Sequence, residues 1–305
     1  MNYKWISLFG LFIFYNALAQ VDTKEEKVLQ NEYGEIVYGN KQFPIVAFFQ
    51  KDSLKYIYSQ SKNKIAILRQ NNTILQEITL KNKDFSTARF QPYGNEGIIL
   101  QSWGMDKDYF LIEKQKLSPQ KRTLPSSKKI IAYKEVSTDK GKFEVHQYMI
   151  TPTKKLSKVL IYKNKQKIDT LYKDTITKEN RYVNVSPRAE LVYFQNKLYF
   201  FNADQRLLLV FDAQNAQLLE EINLKEKDEY LSGFILNFYV DITTSQMYVG
   251  GVVAEKTYLW KIGKEIERYE IPFQIYSIHQ IYSDKIYFSL KAEEIHLYVY
   301  ERKFR

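Results

Sequence analysis

Short apolar runs recur along this chain at strand length, separated by polar clusters of turn residues. The clearest instance is 197–224, KLYFFNADQRLLLVFDAQNAQLLEEINL. Residues 198–201 are aromatic and β-prone, 202–205 carry turn chemistry, 207–211 are continuously apolar, 212–216 turn again, and 218–224 alternate apolar with polar. A continuous apolar run bounded by turns predicts a strand buried on both faces. Three such strands in sequence make a meander that cannot bury its own faces, so copies of it must stack alongside.

Each copy is preceded by one further strand. The pattern predicts strands at 45–49, 54–58, 65–68 and 74–80 in the first unit. The second has 85–90, 98–101 and 109–112, then fades into a basic, proline-bearing stretch. The third has 130–136, 143–150, 159–162 and 167–172, and the fourth adds 191–194 before the opening meander. The fifth has 234–240, 247–253, 258–262 and 266–271; the sixth has only 275–281, 286–290 and 295–300. First strands recur roughly every 40 to 46 residues, except where the 173–188 connection intervenes, which suits four-stranded units. The sixth unit is one strand short, and Glu35-Ile36-Val37-Tyr38 is an unmatched strand near the other end. The expected fold is therefore all-β: a six-bladed β-propeller of four-stranded antiparallel blades, closed by an N-terminal strand that completes the last blade. A seven-bladed ring or an open sandwich is the alternative. The repeats fill 33–305 as one domain.

The order Tyr/Phe strand, Asn-x-Asp turn, buried strand ending in Phe211-Asp212, turn and third strand resembles six-bladed propellers of the NHL and TolB-like kind. The resemblance covers most of the chain, but only 197–224 matches well. Such repeats usually place glycine in the turn after the Phe-Asp, and Ala213-Gln214-Asn215-Ala216 stands here instead. The resemblance implies a module that engages other envelope proteins.

The beginning of the chain refines the cellular setting. Lys4, an apolar run over 6–15 and the small-x-small Ala17-Leu18-Ala19 read as a signal peptide, 1–19, cleaved before Gln20. The run is well short of the roughly 20 apolar residues a spanning helix requires. Residues 20–32 read as a flexible leader crowded with charge. With no cysteine, neither disulfides nor thiolate metal sites nor a lipid-acceptor Cys enter the picture. The expected protein is exported, periplasmic or extracellular, without a membrane span in the mature chain and monomeric.

Charge adds a preference. The chain has 45 Lys+Arg against 35 Asp+Glu, a net +10, which favours acidic partners. In the predicted strand order, the connections between units share a face with the second-to-third turns. That brings Lys128 and Lys129 near Lys154 and Lys155, with Arg181 and Asn184 next in line and Trp103 in the neighbouring unit. A tryptophan beside clustered cations suits an acidic or sugar-bearing ligand. Lys163, Lys165 and Lys167 belong to the opposite face.

Catalytic motifs are absent: there is no G-x-S-x-G, H-E-x-x-H, phosphate loop or dinucleotide fingerprint. His146 and His296 alternate with apolar residues and are expected to face solvent. First strands should line a central channel, which nominates Arg89, Gln91, Asn237, Asp241, Tyr276, His279 and Gln280 as its polar residues. Asp241 and Asn237 alone fall short of the oxygen ligands a calcium-dependent lactonase needs, so no metal and no cofactor are expected. The function expected is an exported non-catalytic binding or scaffold module for an envelope protein or other acidic ligand, with no nucleic-acid partner. The alternatives are a hydrolase or lyase using His279, Asp241 and Arg89 in the channel, and a carbohydrate-binding module using Trp103.

Overall fold

The computed structural model describes residues 35–39, 45–80, 88–101, 108–114, 116–121, 130–138, 141–151, 156–175, 189–203, 206–228, 235–253, 256–271, 275–290 and 296–301. The protein is all-β, with no α-helix among the described residues and one short 3-10 turn at Leu224–Glu226. No described helix is long and apolar enough to cross a membrane.

The strands fall into four-stranded antiparallel groups in chain order. The first holds β2 (Ala47–Lys51), β3 (Leu54–Ser59), β4 (Lys64–Arg69) and β5 (Ile74–Thr79). The second holds β6 (Arg89–Tyr93), β7 (Gly97–Gln101), β8 (Asp108–Glu113) and β9 (Lys116–Lys121). The third is β10 (Ile130–Thr138), β11 (Gly141–Thr151), β12 (Leu156–Lys163) and β13 (Gln166–Thr175). The fourth is β14 (Ala189–Phe194), β15 (Lys197–Asn202), β16 (Leu207–Asp212) and β17 (Leu218–Asn223). The fifth is β18 (Ile235–Val240), β19 (Met247–Val253), β20 (Lys256–Ile262) and β21 (Ile266–Ile271). The sixth is β22 (Ile275–Tyr282), β23 (Lys285–Leu290) and β24 (His296–Glu301), and its fourth member is β1 (Glu35–Gly39). β1 pairs antiparallel with β24, Glu35 opposite Val299 and Gly39 opposite His296, as the one-strand deficit predicts.

The second group departs from expectation at two strands. The second group has a fourth strand, β9, where the sequence pattern fades. Its Pro119 faces Phe110 on an edge strand, where the missing N–H costs no ladder bond on the open side. The first strand of that group runs over 89–93, later than the expected 85–90, and includes Pro92.

Interleaved side chains join the groups. The first and second share a core of Phe49, Tyr58, Ile67, Phe90, Leu100 and their neighbours. Val136, Phe143 and Val145 of the third pack with Phe200 and Phe211 of the fourth. Phe201, Phe238 and Trp260 join fourth to fifth, Tyr248 and Phe288 fifth to sixth, and Phe48 stacks on Tyr287 at 5.0 Å between first and sixth. Among the described residues no sheet closes on itself. The unexpected link is between second and fourth groups, whose first strands meet at a parallel pair, Tyr93 opposite Tyr193, with Gly94 N donating to Tyr193 O at 2.9 Å. Those two groups thereby form one eight-stranded sheet, and β14 touches both β6 and β10.

Turn chemistry supports the hairpins. Gln195-Asn196 and Ser283-Asp284 both have positive φ at the two central residues, the backbone that matches strand twist in a two-residue hairpin. The turn after Phe211-Asp212 places Ala216 at φ 64, the left-handed conformation in which glycine is unstrained. Asp212 compensates by accepting from Gln214 N and Asn215 N through Oδ1.

Candidate functional site

The first strands bring polar side chains together where the second, fourth, fifth and sixth groups converge. Arg89, near the start of β6, donates from Nη1 to Glu190 Oε2 at 2.7 Å and from Nη2 to Phe238 O at 2.8 Å. Its guanidinium lies 4.5 Å from the Tyr239 ring centre. Glu190 Oε1 accepts from Phe238 N at 2.9 Å, and its Oε2 also accepts from Gln91 Nε2 at 3.1 Å. Gln101 Nε2 in turn donates to Gln91 Oε1 at 2.6 Å. One carboxylate thus ties three strand groups together, and the Arg89–Glu190 pair compensates two charges that would each be costly to bury alone.

His279 and Gln280 complete this centre from β22. The His279 ring Nε2 lies 3.1 Å from Ser289 Oγ, while burial first, and the Arg89 cation second, pull its pKa down to about 3. The imidazole is therefore neutral at physiological pH. Gln280 acts as a piece of backbone: its Oε1 accepts from Gln50 N at 2.5 Å and its Nε2 donates to Gln50 O at 2.8 Å, bonding sixth group to first. Tyr239 O–H donates to Ile278 O at 3.0 Å, and burial pushes its pKa up to about 12. Asn237 lies two residues before Tyr239 on β18. The space left among Phe49, Arg89, Gln91, Tyr239, His279 and Gln280 is a cavity of about 20 Å³. That is close to the minimum for one water, and the buried Arg89 Nε, which has no hydrogen-bond partner among the described residues, borders it.

Asp241 is fully buried but serves the turn after β18. Its Oδ1 accepts from Thr243 N at 2.8 Å and Thr243 Oγ1 at 2.6 Å, and its Oδ2 from Asp284 N at 3.1 Å. The carboxylate caps one hairpin and ties it to the next. Among the described residues no group of three His, Asp or Glu side chains is placed to share a metal ion.

The remaining candidates divide by position. Tyr276 lies on β22, bracketed by Ile275 and Ser277. Trp103, Lys128, Lys129, Lys154, Lys155, Arg181 and Asn184 lie outside the described residues. His146, expected to face solvent, is buried instead: β11 is an interior strand, with His146 opposite Tyr133 on β10 and Leu160 on β12. Glu190 and Gln101 were missed by sequence reasoning. The available signal was position, since Glu190 is the second residue of its first strand and Arg89 the first of β6.

The neutral imidazole has a pH consequence. An unfolded His279 titrates near 6.5, whereas the folded one stays unprotonated to about 3, so the unfolded state binds the extra proton as pH falls. The stability this group supports is complete above about pH 6.5 and declines below it, by up to about 1.4 kcal/mol per pH unit. His146, also lowered by burial, acts in the same direction. Urea unfolding of wild type and His279→Gln between pH 7 and 5 should show the smaller slope in the variant. Equal slopes would contradict a buried neutral His279.

No family model and no curated protein sequence matches the chain. Matching solved structures include PorZ, an essential bacterial surface component of the type-IX secretion system of Porphyromonas gingivalis. The two are 13% identical over 84% of this chain and 30% of that one, with a TM-score of 0.41. This chain thus spans under a third of PorZ's length.

Proposed function

We propose that the chain is an exported, non-catalytic binding or scaffold protein whose six four-stranded groups form the blades of a β-propeller. Two observations support the architecture: the groups follow one another in chain order with shared cores, and β1 supplies the missing strand beside β24. The function rests mainly on the state of the centre. Arg89, Glu190, Gln91 and Gln280 spend their polar atoms on strands of neighbouring groups, leaving about 20 Å³ between them. A substrate needs a cleft of several hundred Å³, and a base needs a titratable group free to exchange protons near pH 7. His279, at about 3, and Asp241, capping its turn, serve structure instead. Binding then falls to the loop-bearing faces, with the excess of Lys and Arg favouring an acidic envelope protein.

A thermal-shift series separates this reading from a calcium-dependent hydrolase. A metal bound only by the native state raises the melting temperature as its concentration exceeds Kd. Millimolar calcium should leave the transition unmoved relative to magnesium. A calcium-specific rise of several degrees, lost in Asp241→Asn, would favour the enzyme.

A further inference from the structure

The direct contact between second and fourth groups opens a cleft beside it. Because β6 and β14 meet at Tyr93 and Tyr193, the first turn of the third group stands off from the second, and a cleft of about 510 Å³ lies between them. Its walls are Tyr93, Gly94 to Gly97, Leu111, Glu113, Ser137, Thr138, Tyr193 and Asn196. The Tyr93 and Tyr193 rings meet edge to face, 6.1 Å between centres. The turn needs its glycines: Gly94 has φ 65, and a Cβ on Gly97 would sit 2.7 Å from Tyr93 O.

The chemistry of this lining runs against the rest of the molecule. In a chain of net +10, the cleft is walled by two carboxylates, Glu96 and Glu113, two tyrosines, amides and hydroxyls, with no lysine or arginine among the described lining residues. Two described cations stand beside it: Lys116 lies opposite Glu113 in the ladder of β8 and β9, and Lys51, which donates to Asn95 O at 3.0 Å, interacts electrostatically with Glu96. Carboxylates beside aromatic rings attract a cation twice, by charge and by the ring quadrupole. The volume suits a long side chain with its flanking backbone and is about twenty-five times the cavity at the centre.

We propose that this cleft is a second binding site, taking an arginine or lysine side chain of a partner polypeptide between Glu96, Glu113 and the Tyr93–Tyr193 pair. It is formed by first-to-second turns together with the end of β8, and its carboxylates select a cation, so it does not depend on the acidic partner proposed above. The planar guanidinium suits it best, because that group can stack on a tyrosine while pairing with a carboxylate.

The test uses the mature chain and two peptides, hexa-arginine and hexa-glutamate, by titration calorimetry near 0.15 M salt. Hexa-arginine should bind, and Glu96→Gln with Glu113→Gln should weaken it at least fivefold. Both glutamates are exposed, so the double variant should melt with wild type. Tyr93→Leu, which keeps both carboxylates, should weaken binding about threefold if the ring contributes. Quadruple reversal of the basic loops to glutamate should leave the loss caused by Glu96→Gln/Glu113→Gln intact. No binding of hexa-arginine up to 1 mM, or equal binding by wild type and Glu96→Gln/Glu113→Gln, would overturn the proposal.

Discussion

Arg89→Met should cost about 3–5 kcal/mol of stability, the range for breaking one side of a buried ion pair. The loss comes from what is removed: Glu190, almost fully buried, keeps Phe238 N and Gln91 Nε2 but loses the Arg89 guanidinium, and Phe238 O loses its side-chain donor. Adding Glu190→Gln removes the uncompensated charge while retaining an acceptor for Phe238 N. The double variant should therefore recover at least half of the loss, because the pair's desolvation penalty goes with its attraction. Urea unfolding at pH 7 of the four members of this cycle measures the coupling. Additive single effects would mean the two residues do not form the central tie.

Deleting the chain through residue 40 should destabilise it far more than deleting 20–31. The longer truncation removes β1 and with it the ladder to β24, in which Glu35, Ile36, Tyr38 and Gly39 face Val299, Tyr298, Leu297 and His296. At about 0.5–1.5 kcal/mol per backbone hydrogen bond, the loss reaches several kcal/mol, and the edge of β24 becomes free to pair with another chain. Melting temperatures of the two truncations decide it. Equal values would refute closure of the sixth group by β1.

Strand existence was legible in this sequence wherever an apolar run was bounded by turns, as in β15 and β16. β9 was not, because KLSPQK is an edge strand that carries little hydrophobic signal and tolerates Pro119. His146 misled for the opposite reason: alternation with apolar residues implies one wet face, yet β11 lies between β10 and β12 and the imidazole is buried there. The central polar residues were half legible. Arg89, Gln91, His279 and Gln280 could be placed on first strands by counting, but their partners are 101, 99, 10 and 230 residues away in sequence, as are the second–fourth contact and its cleft from any local pattern. The basic loops were assigned to one face by strand order alone.

The same strand order identifies a matched control. Lys163 packs 5.5 Å from the Phe143 ring centre and donates to Ala213 O and Gln214 O, linking third group to fourth, so reversing it would disturb the fold. Lys165 and Lys264 lie in exposed third-to-fourth turns and carry charge without that role.

The most direct test of the binding function is quantitative capture from the native envelope, with the mature chain immobilised and eluted by a salt gradient. Wild type should retain an acidic partner that elutes as salt shortens the Debye length below roughly 8–10 Å. Lys128, Lys129, Lys154 and Lys155 all changed to glutamate should abolish that retention, while Lys165→Glu with Lys264→Glu should preserve it. Equal loss in both variants, or no retained protein with wild type, would contradict a binding scaffold that recognises its partner through the basic loops.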